Sequence, residues 1–182
     1  KMENLLSSQK LEILFPDLKV VSEGSDFSER RSTDIYVVDR AGQRYIFKSV
    51  HMGAGYWFTQ HIDSEVKHLQ MASDIGGITH LVHDYGVVDD IRVHKCWRAF
   101  LREYKEGKDL ESIGAKITDT EIQANLKRTV RDLDAKGIKG FEIHPKNIII
   151  SQDGKKATIT DLGYVGPTHT LKTNLQTLRN VV

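Results

Sequence analysis

One stretch constrains the chain more than any other: Gly137 to Gly163, GIKGFEIHPKNIIISQDGKKATITDLG. Ile148, Ile149 and Ile150 form an apolar run, Asp153-Gly154 is a turn dipeptide, and a second β-rich segment returns toward Asp161. Two such segments around an Asp-Gly turn predict a hairpin. That hairpin would gather Glu142, Asn147 and Asp161 at one edge. Three oxygen-bearing side chains on one edge suit a hard divalent cation such as Mg²⁺, whose ligands are oxygens and are frequently completed by phosphate.

Around this stretch the pattern alternates between strand and helix in an orderly way. Met2 to Phe15 carries leucines at loose helical spacing and stops before Pro16, which cannot continue a helix interior. We read it as a short amphipathic helix packed on the rest. Leu18 to Val21, Asp34 to Val38 and Arg44 to Lys48 read as three strands of an antiparallel meander, with a turn at Asp39 to Gly42. Gly53 to Phe58 is a glycine-containing aromatic segment that serves either as a swing point or as a binding surface. Ile62, Val66 and Leu69 then recur at helical spacing, with Glu65 on an adjacent face. Leu81 to Val88 and Arg92 to Tyr104 read as a fourth and fifth strand around Asp89-Asp90. Gly107 to Ile117 is polar and reads as a linker. Thr118 and Glu121 form a capping box ahead of the stripe Ile122, Leu126, Val130 and Leu133. Leu171, Leu175, Leu178 and Val182 space as one face of a last helix. The fold class expected is therefore α+β.

Composition narrows the function classes. With 39% hydrophobic and 28% charged residues the chain can pack a core, and disorder is not expected. A net charge of +1 gives no electrostatic case for nucleic acid or an anionic membrane as partner. The single cysteine, Cys96, excludes an internal disulfide and any cysteine-based zinc site, which points to a reducing compartment such as the cytoplasm. His80, His83 and His94 do not have the spacing of a compact zinc site. No apolar run reaches membrane-spanning length, and we expect neither a membrane span nor a secretory leader.

The ordered set Lys48, Glu65, Glu103-Tyr104, Glu142, Asn147 and Asp161-Leu162-Gly163 resembles the protein-kinase fold in its compact, atypical forms, such as the RIO and Bud32 types and the minimal kinase-like effectors of some bacteria. The resemblance covers about Val20 to Gly163. It implies a bilobal α+β architecture: an N-terminal helical extension over 1–17, a lobe over 18–106 with a five-stranded antiparallel sheet and one main helix, and a truncated helical lobe over 107–182. It implies ATP and Mg²⁺ (or Mn²⁺) as cofactors. Lys48, held by Glu65, would bind the α/β-phosphates, and Asn147 with Asp161 would hold the metal. Ser22, Gly24 and Ser25 would cover the phosphates from the first hairpin tip, although the same residues also make an ordinary serine-rich turn. The carbonyl of Glu103 and the N–H of Lys105 would face adenine, with Arg102 at the position that gates the adenine pocket. A protein substrate or partner is implied, and a location in the cytoplasm, or in a host cytosol for an effector.

Three departures matter. Glu142 stands where the family has a catalytic aspartate, so the carboxylate is retained with one methylene more. His144 stands where the family frequently has a lysine that contacts the transferred phosphate, and Gly140 replaces the family's structural histidine. The expected activity is an ATP- and Mg²⁺-dependent phosphotransferase acting on a serine, threonine or other hydroxyl, with Lys48, Glu142 and Asp161 as its catalytic residues. The alternatives are a pseudokinase acting as a nucleotide- or protein-binding module, and an enzyme that transfers AMP or phosphorylates a small molecule.

Overall fold

The computed structural model describes residues 6–23, 33–114 and 116–181. It divides into two compact units, Lys1–Val66 with Leu81–Tyr104, and Lys67–His80 with Lys105–Val182. The division is discontinuous because one helix, α2 (Tyr56–Met71), begins in the first unit and ends in the second.

The first unit is built on an antiparallel sheet of five strands: β1 (Lys19–Glu23), β2 (Thr33–Arg40), β3 (Gln43–His51), β4 (Leu81–Asp90) and β5 (Lys95–Glu103), in the order β1-β2-β3-β5-β4. Strand periodicity sends successive side chains to opposite faces. Tyr36, Val38, Phe47, Trp97, Ala99 and Leu101 point to one face and form a core with Leu11 and Phe15 from the α1 (Ser8–Leu14) segment. Phe15 meets Phe47 and Tyr85 edge-on, with ring centroids 4.9 and 4.7 Å apart. Lys48 lies on the other face, opposite Ile35 of β2 and Phe100 of β5.

The hairpin between β2 and β3 closes through Ala41 and Gly42, both at positive φ. That matches the twist of the flanking strands, and the Asp39 carboxylate accepts from the Gly42 N–H at 3.0 Å. At the chain's start the described helix begins at Ser8, later than the leucine spacing suggests. Ser7 caps it by accepting from the Lys10 N–H, and Leu6 before it is tied to the sheet through the Asp34 carboxylate. Leu5 and the residues before it lie outside the described residues. Tyr56, Trp57 and Phe58 form the first turn of α2 instead of a separate segment. Asp89 and Asp90 end β4, and the turn follows them, where the Asp90 carboxylate accepts from the Arg92 N–H at 3.1 Å.

The second unit carries a three-stranded sheet, β6 (Lys108–Asp109), β7 (Ile148–Ile150) and β8 (Ala157–Ile159), with α3 (Leu110–Ile113), α4 (Thr120–Ala135) and α5 (Leu171–Val181). The predicted stripe Ile122, Leu126, Val130 and Leu133 is the buried face of α4. Its cap is Asp119, whose side chain accepts from the N–H groups of Glu121 and Ile122, so the capping role falls one residue after Thr118. The polar segment read as a linker contributes β6 and α3. Gly107 makes that pairing possible: a Cβ there would lie 2.0 Å from the Ile150 carbonyl oxygen, so only glycine lets the chain enter beside β7.

Candidate active-site elements

In the first unit, Lys48 and Glu65 meet. The Lys48 ammonium donates to Glu65 Oε2, and the two side chains are 4% and 0% exposed. The reason is local: Lys48 follows Tyr45-Ile46-Phe47 on a central strand, while Ile62, Val66 and Leu69 bury one side of α2 and carry Glu65 inward. Arg102 joins them, its guanidinium 3.3 Å from Glu65 Oε1. Its position two residues after Phe100 puts it on the Lys48 face. Arg102 is therefore an ion-pair partner of Glu65, a role that its place in the sequence does not announce. The same face carries Arg98, which binds Asp63 at 2.7 Å and the Asp84 carboxylate, tying α2 to β4 and β5.

Ser22 is an exposed residue of β1, and Gly24 and Ser25 lie outside the described residues. Glu103 closes β5 and Lys105 follows shortly after; both are half-buried.

In the second unit, hairpin β7–β8 holds the acid–amide pair. Ile148 faces Ile159, and the Asn147 carbonyl accepts from the Thr160 N–H at 2.9 Å, which places Asn147 and Asp161 at the same end of the hairpin. The Asn147 side-chain amide makes no hydrogen bond among the described residues. Asp161 Oδ1 accepts from the Gly163 N–H at 2.8 Å, turning the chain sharply after the strand. The backbone beyond is held by His68 of α2, whose ring N–H donates to the Leu162 carbonyl at 2.6 Å.

Glu142 is exposed and makes no hydrogen bond among the described residues. Its backbone, however, is gripped on both sides by Asn174 of α5. The Asn174 amide donates to the Phe141 carbonyl at 3.0 Å and its Oδ1 accepts from the Ile143 N–H at 3.2 Å. Asn174 is 2% exposed, a buried amide on the apolar side of α5. A polar residue inside the Leu171–Leu175–Leu178 stripe is the sequence signal that could have marked it.

Gly140 supports the same loop. Its N–H donates to the His169 carbonyl at 3.0 Å and its carbonyl accepts from Val165 N–H at 2.7 Å. At φ +79°, a Cβ there would lie 2.2 Å from the Tyr164 ring. The absent side chain is thus replaced by an aromatic ring packed on the backbone. His144 is half-buried, and its Nδ1 accepts from the Lys146 N–H at 3.2 Å, capping the 3₁₀ turn Pro145–Asn147.

The second unit also has a cavity of about 720 Å³; Lys105 lines it, while Glu142, Asn147 and Asp161 do not. Among the described residues no helix is long and apolar enough to cross a membrane. No protein-family model matches the chain, and no curated protein matches it.

Proposed function

We propose that the chain is an ATP- and Mg²⁺-dependent phosphotransferase of bilobal kinase-like fold, with Glu142 in the role usually taken by an aspartate. The observation that carries this reading is the buried ion pair of Lys48 and Glu65, which joins a central strand to the main helix of the first unit. A buried ion pair is a poor way to stabilise a fold, because well-packed apolar residues in its place are commonly neutral or stabilising. Two cations, Lys48 and Arg102, share the one Glu65 carboxylate, and that local excess of positive charge favours a role toward an anion; a lysine so held suits the α/β-phosphates.

Asn147 and Asp161 fit a hard cation: they offer an amide oxygen and a carboxylate at one end of a hairpin. Bound there, Mg²⁺ would neutralise charge on the phosphate oxygens. The protein's own part is then positioning. Lys48 meets phosphate oxygens, and Glu142 orients the acceptor hydroxyl and takes its proton. Phosphoryl transfer depends mostly on positioning and electrostatics, so the longer glutamate is compatible with turnover at a reduced rate.

Incubation with γ-labelled and α-labelled ATP in Mg²⁺ or Mn²⁺ tests the reading. Label arriving on an acceptor from the γ position alone supports phosphoryl transfer, and its loss in Lys48→Met and Asp161→Ala assigns it to these residues. Label from the α position means transfer of AMP. A second reading, a nucleotide- or protein-binding pseudokinase, is favoured by the exposed Glu142 carboxylate, which no described side chain orients. Nucleotide binding without transfer of either label would establish it over the first.

A further inference from the structure

The cavity of the second unit has one helical wall, with the rest drawn from β7, β8 and the irregular segments around them. One face of α4 lines it with Ile122, Asn125, Thr129 and Asp132, at the three- and four-residue spacing that stacks side chains on one side of a helix. Gly77 and Ile78 form another wall, locked to β8: Ile159 N–H donates to the Gly77 carbonyl at 2.9 Å and Thr79 N–H to the Ile159 carbonyl at 3.0 Å. Thr129 Oγ1 donates to the Gly76 carbonyl at 3.1 Å, and a Cβ on Gly77 would lie 2.5 Å from that hydroxyl. Gly77 therefore lets α4 and this segment close up. At about 720 Å³ the cavity has the volume of a small-molecule site.

Its chemistry is divided. Ile149 and Ala157, both half-buried, supply apolar surface, backed by the buried Ile78 and Ile122. Lys105, Arg128, Lys155 and Lys156 supply positive charge against only Glu106 and Asp132. This is a marked concentration in a chain whose net charge is +1. Arg128, Lys155 and Lys156 make no ion pair among the described residues, while neighbouring cations of the same unit do, Lys136 with Asp74 and Lys146 with Glu111. Arg128 donates to Asn125 Oδ1 at 3.0 Å, which holds the guanidinium beside the cavity.

We propose that this cavity binds a phosphate monoester carried on a small apolar body. A monoester is close to a dianion at neutral pH and presents three acceptor oxygens, which suits several cations sharing one mouth, the arginine fork above all. A lone carboxylate offers half that charge, and inorganic phosphate leaves the isoleucine surface unused. Of the residues the kinase-like reading names, the site shares only Lys105 and uses none of Lys48, Glu142, Asn147 or Asp161, so its binding is tested separately from phosphotransfer.

The test is a titration of the isotopically labelled full chain with 1-naphthyl phosphate at low ionic strength, followed by amide chemical shifts, with 1-naphthol and inorganic phosphate as controls. The expected result is saturable shifts centred on Gly77, Thr129 and Thr158, with weaker binding of both controls. The double variant Arg128→Ala/Lys156→Ala should bind at least about tenfold more weakly, since a hydrogen bond to a charged group is worth roughly that factor. Asp161→Ala should bind as wild type does. Both substituted residues are exposed, so the fold is expected to persist. Should the double variant unfold, Arg128→Gln alone carries the same expectation. Equal affinity for 1-naphthol, equal affinity in the charge-depleted variant, shifts centred elsewhere, or no saturation at millimolar probe overturns the proposal.

Discussion

Glu65 serves two cations with one buried carboxylate, one oxygen to Lys48 and the other to Arg102. Substitutions at this trio should therefore differ sharply in their cost. Lys48→Met removes one cation and keeps a similar volume, and Glu65 retains Arg102; a change of about 1 kcal/mol is expected. Glu65→Leu strips both cations of the carboxylate they share and should cost about 3–5 kcal/mol. Urea midpoints measure the difference, and equal losses would mean that Arg102 does not sustain Glu65. If the proposed phosphoryl transfer holds, the order reverses in interest: Lys48→Met, nearly as stable as wild type, should lose about a hundredfold or more in rate. Asp34 gives a second prediction on the opposite face of the sheet. It is 2% exposed, and burial raises its pKa to about 7, against the lowering effect of the Leu6 N–H and the Ser49 hydroxyl. Between the unfolded value near 4 and this folded value, the native state holds a proton that the unfolded chain has released. Stability is then fully present below about pH 4, falls as pH rises toward 7, and levels above it, a loss on the order of a few kcal/mol. Asp34→Asn keeps an acceptor for Leu6 and Ser49 without the ionisation. Urea unfolding at pH 5 and pH 8 should show the decline in wild type and a flat response in the variant.

At the scale of elements, α5 earns a role through Asn174. Replacing that amide with leucine keeps the side chain's size and removes its hydrogen bonds to Phe141 and Ile143, the residues flanking Glu142. Asn174→Leu should destabilise the second unit by about 1–3 kcal/mol, because two backbone groups lose their partner. On the proposed function, turnover should fall while the affinity for ATP stays close to that of wild type, since Lys48 and Asp161 are untouched; hydrogen exchange at the Ile143 amide should quicken. A fall in ATP affinity equal to the fall in turnover would contradict a local effect on the loop. Much of this architecture is legible in the chain. The strands announce themselves through β-branched and aromatic runs, α4 through its stripe, and hairpin β7–β8 through Asp153-Gly154. The pairing of Lys48 with Glu65 is expected only from the kinase-like order of the motifs, since either residue alone reads as a surface charge. Other features depend on contacts made far away in sequence. Nothing near Lys108 reveals that it pairs with Ile150, and Arg102 resembles any strand arginine until Glu65 is brought beside it. The cap shifts from Thr118 to Asp119 because two residues suited to capping stand side by side, and pattern alone does not choose between them.

At the scale of the whole molecule, the proposed function assigns Lys48 and Glu65 to one compact unit and Asn147 and Asp161 to the other. The first unit has its own packed apolar interior of sheet and α1 residues, and a chain of two units can unfold in separate steps. A ligand that draws on residues of both must stabilise both, by an amount set by its concentration relative to its dissociation constant. At a hundredfold excess over that constant the gain is about 2.7 kcal/mol, worth roughly 5–10 °C for a chain of this length. Thermal unfolding with ATP and Mg²⁺ should therefore rise by that amount in wild type and draw any separate transitions together. Lys48→Met should lose most of the rise through weaker phosphate binding. Asp161→Ala should lose the part that depends on the metal, so that its midpoint in ATP is the same with Mg²⁺ as with a chelator. An equal rise in wild type and Asp161→Ala would remove Asp161 from the metal site. A rise confined to one transition would mean that nucleotide engages a single unit, and the phosphotransfer reading would give way to that of a binding module.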